Sequence, residues 1–160
     1  MKIQINGIKR KLFMEAVLAS AIIITVIFIG NKVYENYLLS QKKFDIPKIE
    51  NINYIYFTGN KLFVCTLTDQ NRIAEIMESL SCAKATNIEY GETSARLEYE
   101  VLISYIDENG EMMLDSFDVI VHKKKYYISP FPYNEVWQID EELYELLLNT
   151  IIDIQSGKIS

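Results

Sequence analysis

The apolar positions of this chain follow three different patterns, and each predicts a different element. The first is an unbroken run. Leu12 to Gly30 reads LFMEAVLASAIIITVIFIG, with no charge from Ala16 onward and only Ser20 and Thr25 polar. A helix rises about 1.5 Å per residue, so this stretch can cross most of a ~30 Å hydrocarbon core. It predicts a single transmembrane helix over 12–31, preceded by a short segment, 1–11. Lys9, Arg10 and Lys11 stand directly before the run, which favours a cytoplasmic N-terminus. A cleaved signal peptide is the rival reading, but the run is long for one and no A-x-A site follows it. Residues 32–47 read as a stalk or linker. Val33, Tyr34, Tyr37, Leu38 and Leu39 continue an amphipathic helix, and Pro47 ends it.

The second and third patterns alternate through residues 48–154, which read as one extracytoplasmic domain, with 155–160 a frayed tail. Ile49 to Thr58 alternates as a strand, with Ile52, Tyr54 and Tyr56 on one face and Ile55 and Phe57 on the other. Gly59-Asn60 is a hairpin signal, and 61–66 is the return strand. Ile73, Ile76, Met77 and Leu80 fall at i, i+3, i+4 and i+7, predicting a helix over 70–81 capped by Thr68 or Asp69. Residues 82–94 are irregular, a loop or short strand. Arg96 to Asp107 is a long strand whose Glu98, Glu100 and Ser104 point away from the core. Glu108-Asn109-Gly110 turns it, and 111–122 returns. Residues 126–129 and 136–139 are short strands, the last at the edge of the sheet. Asp140 caps a helix over 141–152 with Leu143, Leu146, Leu147, Thr150 and Ile151 on its buried face. The order β-β-α-β-β-β-β-α predicts an α+β fold: an antiparallel sheet with two helices packed on one face, preceded by a single transmembrane helix.

Charge narrows the functions available. The chain carries a formal −6, but from Asp45 onward 9 lysines and arginines stand against 20 acids, a net of −11. An acidic domain does not offer the basic face that nucleic acid requires, so no nucleic-acid partner is expected. With one histidine, His122, and no C-x-x-C spacing, no metal site is expected. Cys65 and Cys82 are open to one disulfide or to two free thiols. No G-x-S-x-G, H-E-x-x-H, P-loop or G-x-G-x-x-G motif occurs, and no catalytic residue or cofactor is assigned. Glu98 and Glu100 share a strand face, read here as solvated.

Two stretches remain as candidate surfaces. Lys123, Lys124 and Lys125 form a basic turn on an acidic domain. Tyr126, Tyr127, Phe131, Tyr133 and Trp137 cluster around Pro130 and Pro132, where a stiff loop can present rings to a ligand or partner; the alternative is that some of these rings cover the sheet edge and pack against the final helix.

The run KKKYYISPFPYNEVWQIDEELYELL, from Lys123 to Leu147, resembles a family of small extracytoplasmic proteins of unknown function from Gram-positive bacteria. These have an N-terminal membrane anchor or lipoprotein signal and one α+β domain. IPKIENINYIYF and TDQNRIAEIMESL fit the same layout, so the likeness covers most of 45–150. The chain departs from the lipoprotein members in lacking a lipidated cysteine. The resemblance implies location and fold and carries over no catalytic residue. The combined expectation is a non-enzymatic binding module on the outer face of the cell membrane, anchored by its N-terminal helix. It would meet a protein partner in the envelope, as part of a transport, secretion or sensing complex. The alternatives are an envelope enzyme acting on a peptide or cell-wall substrate, and a toxin-binding immunity protein.

Overall fold

The computed structural model describes residues 2–59, 64–88, 90 and 96–160. The chain divides into two units, Met1–Leu38 and Leu39–Ser160. The first is helical. Helix α1 (Lys2–Gln41) is 40 residues, about 60 Å at 1.5 Å per residue, and it takes in 32–41 of the expected stalk, whose remainder, 42–47, is not helical. Its stretch Phe13–Gln41 is long and apolar enough to cross a membrane, and its large apolar side chains are exposed. The two polar side chains of the run are satisfied within the helix. The Ser20 hydroxyl donates to the Ala16 carbonyl and the Thr25 hydroxyl to that of Ala21, each at 2.8 Å. Back-bonding of this kind lets a hydroxyl sit in an apolar medium without a stranded donor.

The second unit is α+β. After a short 3-10 turn (Ile49–Asn51) its elements are β1 (Ile52–Gly59), β2 (Val64–Leu67), α2 (Gln70–Leu80), β3 (Lys84–Ala85), β4 (Arg96–Ile106), β5 (Met112–His122), β6 (Lys125–Pro130), β7 (Trp137–Ile139) and α3 (Glu141–Gln155). Among the described residues these strands form a seven-stranded sheet in the order β2-β1-β4-β5-β6-β7-β3, with every neighbouring pair antiparallel. Both helices pack on one face. Ile73, Ile76, Met77 and Leu80 of α2 and Leu143, Leu147 and Ile151 of α3 join Ile55, Phe57, Val101, Val119 and Ile128 in one core. Each helix starts where its cap predicts. Asp69 accepts from the Arg72 amide and Asp140 from the Leu143 amide, both at 2.9 Å, satisfying a donor that the first turn leaves orphaned.

The structure corrects the sequence reading at several points. β1 carries an irregularity between Ile52 and Tyr54, so alternation slips there and Ile52 joins Ile55 and Phe57 in the core. Ser104 faces away from the helices yet is buried, because Tyr54 and Leu114 stand directly opposite it on the flanking strands. β7 is not an edge, since β3 pairs outside it. Helix α3 runs to Gln155, and the tail is docked rather than frayed. The Ser160 carbonyl accepts from the Thr68 and Asp69 amides (2.8 and 2.6 Å), and Ile159 packs on the core. The domain also begins before residue 48: the Phe44 ring meets Phe117 and Trp137 edge-on, and Ile46 packs on the core. Only Gly110 of the 108–110 turn takes a positive φ, +83°, and the Asp107 carboxylate anchors the turn through the Asn109 and Glu111 amides (2.9 and 2.8 Å). Cys65 and Cys82 are free thiols, the first buried and the second exposed. The Gly59-Asn60 turn lies outside the described residues.

Candidate binding surface

The five rings expected to form one surface are divided among three environments. β6 alternates, so Tyr126 and Ile128 face the helices and Tyr127 faces away. Tyr126 stacks on Tyr144 of α3 with ring centroids 4.2 Å apart, its hydroxyl donating to Glu141 at 3.4 Å. Trp137 is 4% exposed, in the main core against Phe44. Tyr127, also 4% exposed, joins Ile120 and Val136 in a second small cluster on the opposite face, under Ile88 and Tyr90. Tyr133 takes φ +65° and stacks on Tyr90 at 5.2 Å. Phe131 alone stays open, at 68% exposure. The proline–aromatic stretch is therefore largely a packing device, and the single broad aromatic surface is corrected to one exposed ring.

The lysines are exposed as expected. Lys123 and Lys124 are the two central residues of a tight turn, with φ +49° and +62°, and His122 pairs with Lys125 across it. This is the backbone of a type I′ hairpin turn, normally filled by Asn-Gly. The turn is thus a structural position as well as a charged one.

The acids are less solvated than the alternation implies. Glu100 stands opposite Asp118 in the register, and Asp118 is buried. The Tyr90 hydroxyl donates to Asp118 at 2.5 Å, and this bond, reinforced by burial, pushes the Tyr90 hydroxyl up to about 12. Tyr133 is also raised, by burial first and then by Asp118 and Glu100. The bond ties the Tyr90 ring to the sheet at the buried Asp118. Among the described residues no three His, Cys, Asp or Glu side chains gather closely enough to hold a metal.

No family model matches the chain, and no curated protein does. An NMR structure of a protein from Ruminococcus gnavus is similar at 23% identity and a TM-score of 0.42, covering 64% of this chain and 99% of that one.

Among the described residues the most exposed apolar ground of the domain lies at one end of β5, which the sequence reading did not single out. Met112 (72% exposed) and Leu114 (58%) share a strand face with Ile106, and Phe131 stands nearby. The cause is a mismatch of lengths. β5 has 11 residues and β6 has 6, so β6 covers β5 only from Phe117 onward. One further contact, from the Phe131 amide to the Ser116 carbonyl (2.9 Å), closes the ladder. Beyond it Met112–Asp115 has, among the described residues, a strand neighbour on one side only, β4. A cleft of about 290 Å³ opens beside this edge, between Phe44, Ile46, Phe117 and Phe131. Its described walls carry two carboxylates, Asp45 and Asp115, and no lysine or arginine. The Tyr105 hydroxyl in the same wall is pushed up, first by burial and then by Asp115, with Asp107 and Asp45 adding to it.

Proposed function

We propose that this chain is a single-pass membrane-anchored binding module of the cell envelope. Its N-terminus lies in the cytoplasm, its α+β domain lies outside, and it engages a protein partner at the exposed end of β5. The observation that carries this reading is the concentration of Met112, Leu114, Ile106 and Phe131 beside a cleft, on a domain whose other large apolar side chains are mostly buried. Surface patches of this kind mark interaction sites more often than chance exposure does. The basic cluster Lys9–Lys11 before the span supports the orientation. The resemblance to small extracytoplasmic proteins supports the location.

Two measurements test it. Cys82 is exposed, so a membrane-impermeant maleimide should label it in intact cells; labelling only after lysis refutes the orientation. A photoreactive residue at position 114 or 131 of the full chain in its native membrane should capture a discrete partner that one at position 124 does not. Equal capture at all three positions, or none, refutes the surface.

A further inference from the structure

We infer that the Met112–Asp115 edge takes an extended peptide of the partner as an added β-strand, and that this peptide combines apolar residues with lysine or arginine. The inference rests on the binding-module reading and names its ligand.

The first support is the direction of the backbone groups. In an antiparallel sheet, successive residues turn their N–H and C=O alternately to the two sides. The Asp107 amide donates to the Glu111 carbonyl across the hairpin, so the odd residues of β5 bond toward β4. The Phe131 amide donates to the Ser116 carbonyl on the other side, so the even residues face away from β4. The register runs without a shift between these two points. Met112 and Leu114 therefore present two N–H and two C=O groups to the open edge. This is a template for strand addition, in which the main chain gives affinity and flanking pockets give selectivity. Four residues of strand span roughly 13 Å at about 3.3 Å each, a short but sufficient docking length when a side-chain pocket adjoins it.

The second support is charge. The cleft beside the edge has aromatic and aliphatic walls in Phe44, Ile46 and Phe117, and among its described walls the acidic side chains Asp45 and Asp115 stand without a basic one. Glu111, at the start of the edge, is exposed and also acidic, and the region from Asp45 onward carries −11. An acidic incoming strand meets repulsion at each of these points. A strand with apolar residues for the walls and a cation for the two aspartates meets none.

The test uses the full chain in lipid nanodiscs and two acetylated, amidated probe peptides, Val-Lys-Val-Lys-Val and Val-Glu-Val-Glu-Val. Residue-level amide hydrogen exchange is read at Met112 and Leu114. The lysine peptide should slow both amides at least tenfold, weakening with added salt, and the glutamate peptide should leave them unchanged. Leu114→Pro removes an N–H that faces the open edge rather than β4, so the domain should stay folded and lose the protection. Asp115→Lys, at an exposed side chain, should shift preference toward the glutamate peptide, and it serves if the proline variant misfolds. The proposal is overturned if the lysine peptide protects neither amide. It is also overturned if both amides are already slow without peptide, in proportion to protein concentration (a second copy on the edge) or independently of it (lipid on the edge). If photocapture at positions 114 and 131 succeeds while the peptide fails, the binding module stands and strand addition falls.

Discussion

Tyr99→Phe should make this protein more stable. Tyr99 sits on β4 between Gly59 and Val119, 5% exposed, and its hydroxyl has no hydrogen-bond partner among the described residues. Burial pushes that hydroxyl well above its usual range, with Tyr144 and Glu98 adding to the effect. A buried hydroxyl that makes no bond costs about 1–3 kcal/mol in lost hydration. Removing the oxygen leaves a void of roughly 10 Å³, which at about 24 cal/mol per Å³ loses only ~0.2 kcal/mol. The balance favours phenylalanine by about 1–2 kcal/mol. The chain has one tryptophan, Trp137, and it is buried in the same core, so its fluorescence reports urea unfolding of the full chain in detergent directly. The sign has a second signature. A tyrosine whose folded pKa lies above its unfolded value of about 10 contributes stability that is whole below pH 10 and declines as pH rises above it. The wild type should lose stability above pH 10 more steeply than the variant. A Tyr99→Phe protein less stable than the wild type, or with the same alkaline slope, would show that the hydroxyl has a partner in solution and would refute the reasoning.

Replacing Lys123-Lys124 by Asn-Gly should raise stability by about 1 kcal/mol in the same urea assay, because both positions hold positive φ that lysine adopts at a cost. Tyr90→Phe should destabilise by about 1.5–3 kcal/mol, the worth of a hydrogen bond to a charged group, and a double-mutant cycle with Asp118→Asn should recover most of it as coupling. In the wild type this bond is intact below pH 10 and fades as pH climbs toward the raised Tyr90 value of about 12. Backbone hydrogen bonds at the 108–110 turn hold Asp107 below its ordinary value, the Glu111 amide contributing most. The turn should therefore be ordered above pH ~4 and loosen as pH falls below it, read as faster exchange of the Asn109 and Glu111 amides, and Asp107→Ala should abolish that dependence.

The helices were legible in the sequence because each combines two local signals, a capping aspartate and an i, i+3, i+4, i+7 stripe. Asp69 with Ile73, Ile76, Met77 and Leu80 holds in full; Asp140 holds with Leu143, Leu147, Thr150 and Ile151, while Leu146 is only partly buried against the core. The long strands were legible from alternation, except where one residue is inserted, as between Ile52 and Tyr54. What escaped depends on register. The two-residue strand β3 has no periodicity to show, and its partner β7 is far away in sequence. The aromatic stretch leaves surface and packing both open, because composition does not say which face a ring takes; Tyr126 and Tyr127 are neighbours in sequence and lie on opposite sides of the sheet. The open edge had a faint signal. A strand of 11 residues returns through a tight turn and is stopped after six by Pro130 and Pro132, leaving the far end of the longer strand, among the described residues, without a neighbour on the side away from β4.

An unpaired apolar strand end ordinarily invites pairing between copies, and anchoring to a membrane raises the local concentration of copies. Proteins manage such edges by placing charges beside them. Here Glu111 and Asp115 are exposed on the edge itself, and Asp45 lies across the cleft. If two copies paired antiparallel about Leu114, Asp115 of each would lie opposite Met113 of the other, and each cleft would bring its own acids to the contact. Repulsion opposes that assembly, and no oppositely charged residue lines the described walls to relieve it. The same acids attract a strand that carries cations. Protection against self-association and selection of a basic partner are on this account one property of the same side chains. Neutralising Asp115 would weaken both together.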